Sequence, residues 1–75
     1  MNTYICVEEG DPESESTEHI AETAAAAAID FCKNRDAKGG YGIVARGYAD
    51  VVVTDDDGNF ETIFVKAETI PCYYI

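Results

Sequence analysis

Few residues in this chain combine a type and a spacing that could do chemistry. Residues 55–61, DDDGNFE, begin like a calcium loop, with Asp55, Asp57 and Asn59 at its positions one, three and five. The pattern then fails. Position six holds Phe60 where the sharp turn needs Gly, and position twelve holds Lys66 where the bidentate Glu belongs. Strand-forming sequence flanks it, so a solvated hairpin turn is the expectation. His19 is the only histidine, and Cys6, Cys32 and Cys72 are widely spaced. A structural zinc site takes four N or S ligands, usually with a close cysteine pair, and no such pair occurs. Lys33 beside Cys32 would lower that thiol's pKa, but a helix C-terminus would raise it. Cys32 therefore reads as a core thiol, and His19 as an exposed residue of a first helical turn. No nucleophile elbow, phosphate loop or dinucleotide fingerprint is present. The glycines of GGYG, residues 39–42, predict a helix stop leading into a strand, with no following helix to hold a phosphate. Nothing marks one carboxylate as an acid and a neighbour as its base. The chain is expected to be no enzyme and to use no metal or cofactor.

What remains is charge. Residues 8–22, EEGDPESESTEHIAE, hold Glu8, Glu9, Asp11, Glu13, Glu15, Glu18 and Glu22, and no base precedes Lys33. A solvated helix face would interleave lysines for i, i+4 pairing. On a helix, Glu15, Glu18 and Glu22 would stand about 5–6 Å apart. In extended chain, Glu13 and Glu15 would stand roughly 6.6 Å apart on one face. Asp55, Asp56, Asp57 and Glu61 make a second cluster. Rows of carboxylates at such spacings suit a groove built for phosphates, and a solvating coat is the rival reading. Glu13, Glu15, Glu18 and Glu22 are the first candidates for a partner-binding surface, with Asp55, Asp56, Asp57 and Glu61 second.

The elements that must position these acids follow from periodicity. Residues 3–8, TYICVE, read as a strand with Tyr4, Cys6 and Glu8 on one face and Thr3, Ile5 and Val7 on the other. Gly10, Asp11 and Pro12 break it. A helix follows, capped at Ser16 or Thr17, with Ile20, Ala24, Ala27, Ala28 and Phe31 on one face. The rival puts the N-cap at Thr23 and makes residues 17–22 a short second strand; the longer helix is preferred because its apolar stripe runs through Ile20. Lys33 and Arg35 suit the negative pole, and Gly39 and Gly40 stop the helix. Residues 41–49, with Gly47 as a bulge, and 51–55 read as strands. Residues 56–59, DDGN, turn a hairpin, and residues 60–67 return as a strand. Pro71 interrupts before CYYI, a short edge segment. The expected fold is α+β: one Ala-rich helix packed on an antiparallel sheet of about four strands, in the order β-α-β-β-β.

Seventy-five residues make a single small acidic domain, 1–75, that buries only about 60% of its unfolded surface. There is no room for a deep active site. The formal charge of −10, from 15 acids and 5 bases, opposes direct binding of nucleic acid or of anionic membranes. It favours fast, salt-sensitive encounter with a basic protein surface. No apolar run approaches the roughly 20 residues of a membrane span, and no signal peptide is visible. Three irregularly spaced cysteines fit reduced thiols in a cytosol.

The opening MNTYICVEE, the helix AETAAAAAIDFC and the hairpin VVVTDDDGNFETIFV give the chain a pattern similar to that of the small phage-encoded anti-CRISPR proteins that block type I surveillance complexes. The resemblance spans most of the chain and rests on no diagnostic motif, so no family residue is carried over. It implies a stoichiometric, cytoplasmic inhibitor that acts as a DNA mimic and blocks DNA or PAM recognition. The partner would be a DNA-binding subunit whose arginines pair with the acids named above. The acidity departs from members with basic or neutral faces, which leaves the targeted subunit open. The alternative is an accessory or structural interaction domain, a monomer or weak homodimer joined through a sheet edge at the uncharged tail IPCYYI.

Overall fold

The computed structural model describes residues 1–40, 42–69 and 72–75. Five antiparallel strands form one sheet: β1 (Asn2–Glu8), β2 (Thr17–Ala21), β3 (Tyr48–Thr54), β4 (Phe60–Thr69) and β5 (Cys72–Tyr74), in the order β2-β1-β3-β4-β5. A helix, α1 (Ala24–Gly39), and a short one, α2 (Gly42–Arg46), cover one face. The fold is α+β, as expected, with a fifth strand.

That extra strand corrects the preferred helix start. Residues 17–21 alternate rather than turn. Thr17, His19 and Ala21 face the core side and Glu18 and Ile20 face away, paired to β1 through Tyr4↔His19 and Ile5↔Glu18. Ser16 closes a 3-10 turn over Glu13–Glu15, its hydroxyl and amide both donating to the Glu13 carbonyl. The helix begins at Thr23, whose Oγ1 accepts from the Ala26 amide at 3.1 Å. Ile20 thus leaves the helix stripe and stands exposed on the far face of the sheet. Gly40, with φ 81°, stops the helix as expected.

The second correction concerns residues 42–46, expected as strand. They form α2 because Asp36, buried on α1, caps them: its carboxylate accepts from the Ile43 amide at 2.8 Å and the Val44 amide at 3.0 Å. Two first-turn donors are satisfied by a side chain from another element, which overrides the strand propensity of Ile43 and Val44. Gly47 is no bulge. With φ 92° it ends α2, and its carbonyl accepts from Ala67. Strand β3 then runs unbroken from Tyr48. The expected strand start at Tyr41 and the break at Pro71 lie outside the described residues.

The core sits between sheet and helices. Tyr4 and Cys6 from β1, Val51 and Val53 from β3, and Val65 from β4 pack against Ala27, Ala28, Phe31 and Cys32 of α1. Small alanines let the helix lie close to the sheet. Each buried valine contributes about 1.5–3 kcal/mol. Strand β1 follows the expected alternation, and β4 turns Val65 and Ala67 inward and Phe60, Phe64 and Lys66 outward.

Candidate functional site: the charged ends of the sheet

The register sends the two predicted acidic clusters to opposite ends of the sheet. Strand β1 starts beside Ala21 and finishes beside the 3-10 turn, while Thr54 of β3 pairs with Ile5. Glu22 and the β3–β4 hairpin therefore lie at the end where β1 begins. Glu13 and Glu15 lie at the other. Glu18 stands apart from both groups, on the uncovered sheet face opposite Ile5.

At the Glu13–Glu15 end the acids meet bases. Arg35 Nη2 donates to Asp11 Oδ2 at 2.8 Å, and Arg35 Nη1 lies 3.7 Å from Glu15 Oε2. Arg46 Nη2 donates to Glu8 Oε2 at 2.5 Å while its Nε donates to the Tyr48 carbonyl, and its guanidinium lies over the Tyr48 ring. A groove of about 570 Å³ opens here, where Arg35, Lys38 and Arg46 face Glu8, Glu15 and Asp36. Its charges nearly cancel. The sequence reading missed this compensation because Arg35 and Arg46 lie 20 and 38 residues beyond Glu15 and Glu8, and only the fold brings them back.

The opposite end stays uncompensated. Among the described residues, Glu22, Asp56, Asp57 and Glu61 make no ion pair. Asp55 differs from its neighbours: its Oδ1 accepts from the Asp57 and Asn59 amides, both at 2.9 Å, and so builds the turn. Gly58 supplies the positive φ of 86°. Of the predicted contact residues, Asp56, Asp57, Glu61 and Glu22 gather at one end, Glu13 and a partly neutralised Glu15 at the other.

The fold also assembles a hydrogen-bonded chain that the sequence did not suggest. Thr17 Oγ1 lies 2.6 Å from His19 Nε2, and His19 Nδ1 lies 2.7 Å from Asp30 Oδ2. His19, expected exposed, is 5% exposed and meets the Phe31 ring edge-on. A carboxylate only accepts, so Nδ1 carries a proton and Thr17 donates to Nε2 in the neutral ring. Nucleophile, base and orienting acid stand in the order of a hydrolytic triad. Two features oppose that chemistry. Thr17 sits within an extended strand, not at the tight elbow that exposes a nucleophile beside amide donors. The Asp30 side chain is more than half exposed, whereas an orienting acid works from a buried site. The chain ties edge strand β2 to α1.

The two buried thiols, Cys6 and Cys32, stay protonated at neutral pH. Burial, with the Asp30 charge adding to it, pushes Cys6 up to about 12. Burial, then the nearby Asp36 and Glu8 charges, does the same for Cys32, also to about 12. Among the described residues no helix is long and apolar enough to cross a membrane. Compared with protein-family models, with curated proteins and with solved structures, the chain matches none of them.

Proposed function

We propose that the protein is a non-catalytic inhibitor that lays carboxylates on a basic, DNA-binding surface of another protein and so excludes DNA. One observation carries this reading: among the described residues, Glu22, Asp56, Asp57 and Glu61 at one end of the sheet pair with no lysine or arginine, while Arg35, Arg46 and Lys66 lie toward the other end, with Lys38 on the groove there. The molecule is electrically polar, and its acidic end would lead in encounter with a basic groove. A coat serving only solubility has no reason to segregate in this way. The pattern resemblance names the class of target, a DNA-binding subunit of a type I CRISPR-Cas complex, and the bacterial cytoplasm as the place of action. Mechanistically, groove arginines take bidentate carboxylates in place of phosphates, and DNA loses the site.

The test is recovery of partners from bacterial lysate at low and high salt. A DNA-binding complex recovered at low salt and displaced by duplex DNA supports the reading. Partners indifferent to salt and DNA contradict it. They would favour the rival, an interaction domain joined at the β5 edge, whose binding should vanish when residues 72–75 are removed.

A further inference from the structure

The sheet face turned away from the helices is uncovered. Among the described residues, eight large apolar side chains are exposed, and six of them, Ile5, Ile20, Tyr48, Phe60, Phe64 and Tyr74, stand on this face. Phe60 is 74% exposed, Ile20 64% and Phe64 46%. Register places them in rows. Ile5, Thr54 and Phe60 run across β1, β3 and β4, and Val7, Val52 and Thr62 form the next row. Tyr48 stacks on Phe64 with ring centroids 5.7 Å apart. Scattered single apolar residues need no explanation, but a five-strand face built of them does.

We infer that this face is the core of an interface with a partner that presents an apolar ledge bordered by lysines and arginines. Charge selects that occupant. Glu18 lies on edge strand β2, Glu68 is bonded to the hydroxyl of Tyr74 on the other edge strand, β5, and Asp50 stands on central strand β3 opposite Phe64. At the hairpin, Phe60 adjoins the unpaired Asp56, Asp57 and Glu61, and Ile20 lies two residues from Glu22. Lys66 is the one basic strand residue on the face among the described residues; Arg46, bonded to Glu8, lies over the Tyr48 ring at its border. A second copy would therefore set one lysine against at least three acids, with the acidic ends adding repulsion. A basic-rimmed ledge answers apolar centre and acidic rim together, which is how interfaces divide core from rim. Buried aromatics supply most of the affinity, and the acids supply rate and orientation.

The inference rests on the proposed binding of a basic partner, and its test separates the two. The probes are a twelve-residue peptide alternating Leu and Lys and its Ser/Lys counterpart, titrated into the full chain and followed by amide chemical shifts. The Leu/Lys peptide should bind at least tenfold tighter than the Ser/Lys one and shift Val52, Thr62 and Phe64. The F60S/F64S variant should lose at least tenfold affinity with unchanged circular dichroism. I20S, which removes an exposed side chain outside the Tyr48–Phe64 stack, should lose affinity in the same direction. Equal binding of both peptides, shifts confined to α1 and the groove, or unaltered binding by these variants would overturn the inference. So would a dimer in sedimentation that F60S/F64S disperses, since the face would then belong to a second copy. If the partner complex still binds F60S/F64S in full but not D56N/D57N, the acidic reading stands and this one falls.

Discussion

Arg35 on α1 donates to Asp11 at 2.8 Å and so pins the β1–β2 connection to the helix. Both side chains are about one-third exposed, and Glu15 extends the pair. This contact divides the acids into a compensated end and a free one. Partly exposed ion pairs contribute about 0–1 kcal/mol. R35Q should therefore lower Tm by no more than about 8 °C, given about 4–8 °C per kcal/mol in a domain this size. The loss should shrink at high salt. A loss that salt leaves unchanged would mean that Arg35 acts through packing.

Asp36 is the largest single polar investment in the core. It is 1% exposed, caps α2 with both oxygens and accepts from the Tyr73 hydroxyl at 2.5 Å. D36A strands two amides and a hydroxyl, and should cost about 3–5 kcal/mol. Y73F, which removes one donor, should cost about 1–2 kcal/mol. Urea unfolding measures both. A D36A loss below that of Y73F would contradict the capping role.

The two buried thiols predict loss of stability in alkali. Both titrate near 12 in the folded chain, against about 8.5 when unfolded. The folded state keeps its protons while the unfolded state loses them. Stability is thus intact below about pH 8.5 and falls as pH rises toward 12, by up to about 1.4 kcal/mol per pH unit for each thiol. C6A/C32A should flatten that slope. Tm measured from pH 7.5 to 10.5 checks it, and an unchanged slope in the variant would contradict it.

The His19 bridge predicts local loosening. D30A leaves the buried Nδ1 without its carboxylate. Amide exchange should quicken at Glu18 and Ile20 on β2 more than at Val52 and Val53 on β3, because edge strands open at lower free energy than central ones. Equal quickening across the sheet would show that the bridge supports the whole fold.

The sequence carried the α+β class, the first strand, the hairpin at Gly58 and the helix stop at Gly40, because each rests on local signals. It misled where one pattern fitted two periods. Ile20 lies four residues before Ala24, which suits a helix, yet Thr17, His19 and Ala21 alternate with Glu18 and Ile20 as a strand does. The Thr23 cap is legible as the alternative helix start, since threonine precedes the alanine run. Helix α2 was not legible, because its cap is Asp36, which belongs to α1 and lies seven residues before the Ile43 amide, outside any local capping spacing. Both acidic clusters were visible. Which one stays free depends on Arg35 and Arg46 returning across the fold, which no local pattern reports.

The most direct test of the acidic-inhibitor account is a competition titration. A purified type I surveillance complex bound to a PAM-bearing duplex is challenged with the protein and with E22Q/D56N/D57N, at about 50 and about 200 mM salt, a range over which phosphate-type contacts weaken strongly. Wild type should displace the duplex at the lower salt, its potency should fall at least tenfold at the higher, and the triple variant should lose at least tenfold at the lower. No displacement at either salt, or equal potency in the variant, would contradict the acidic-inhibitor account.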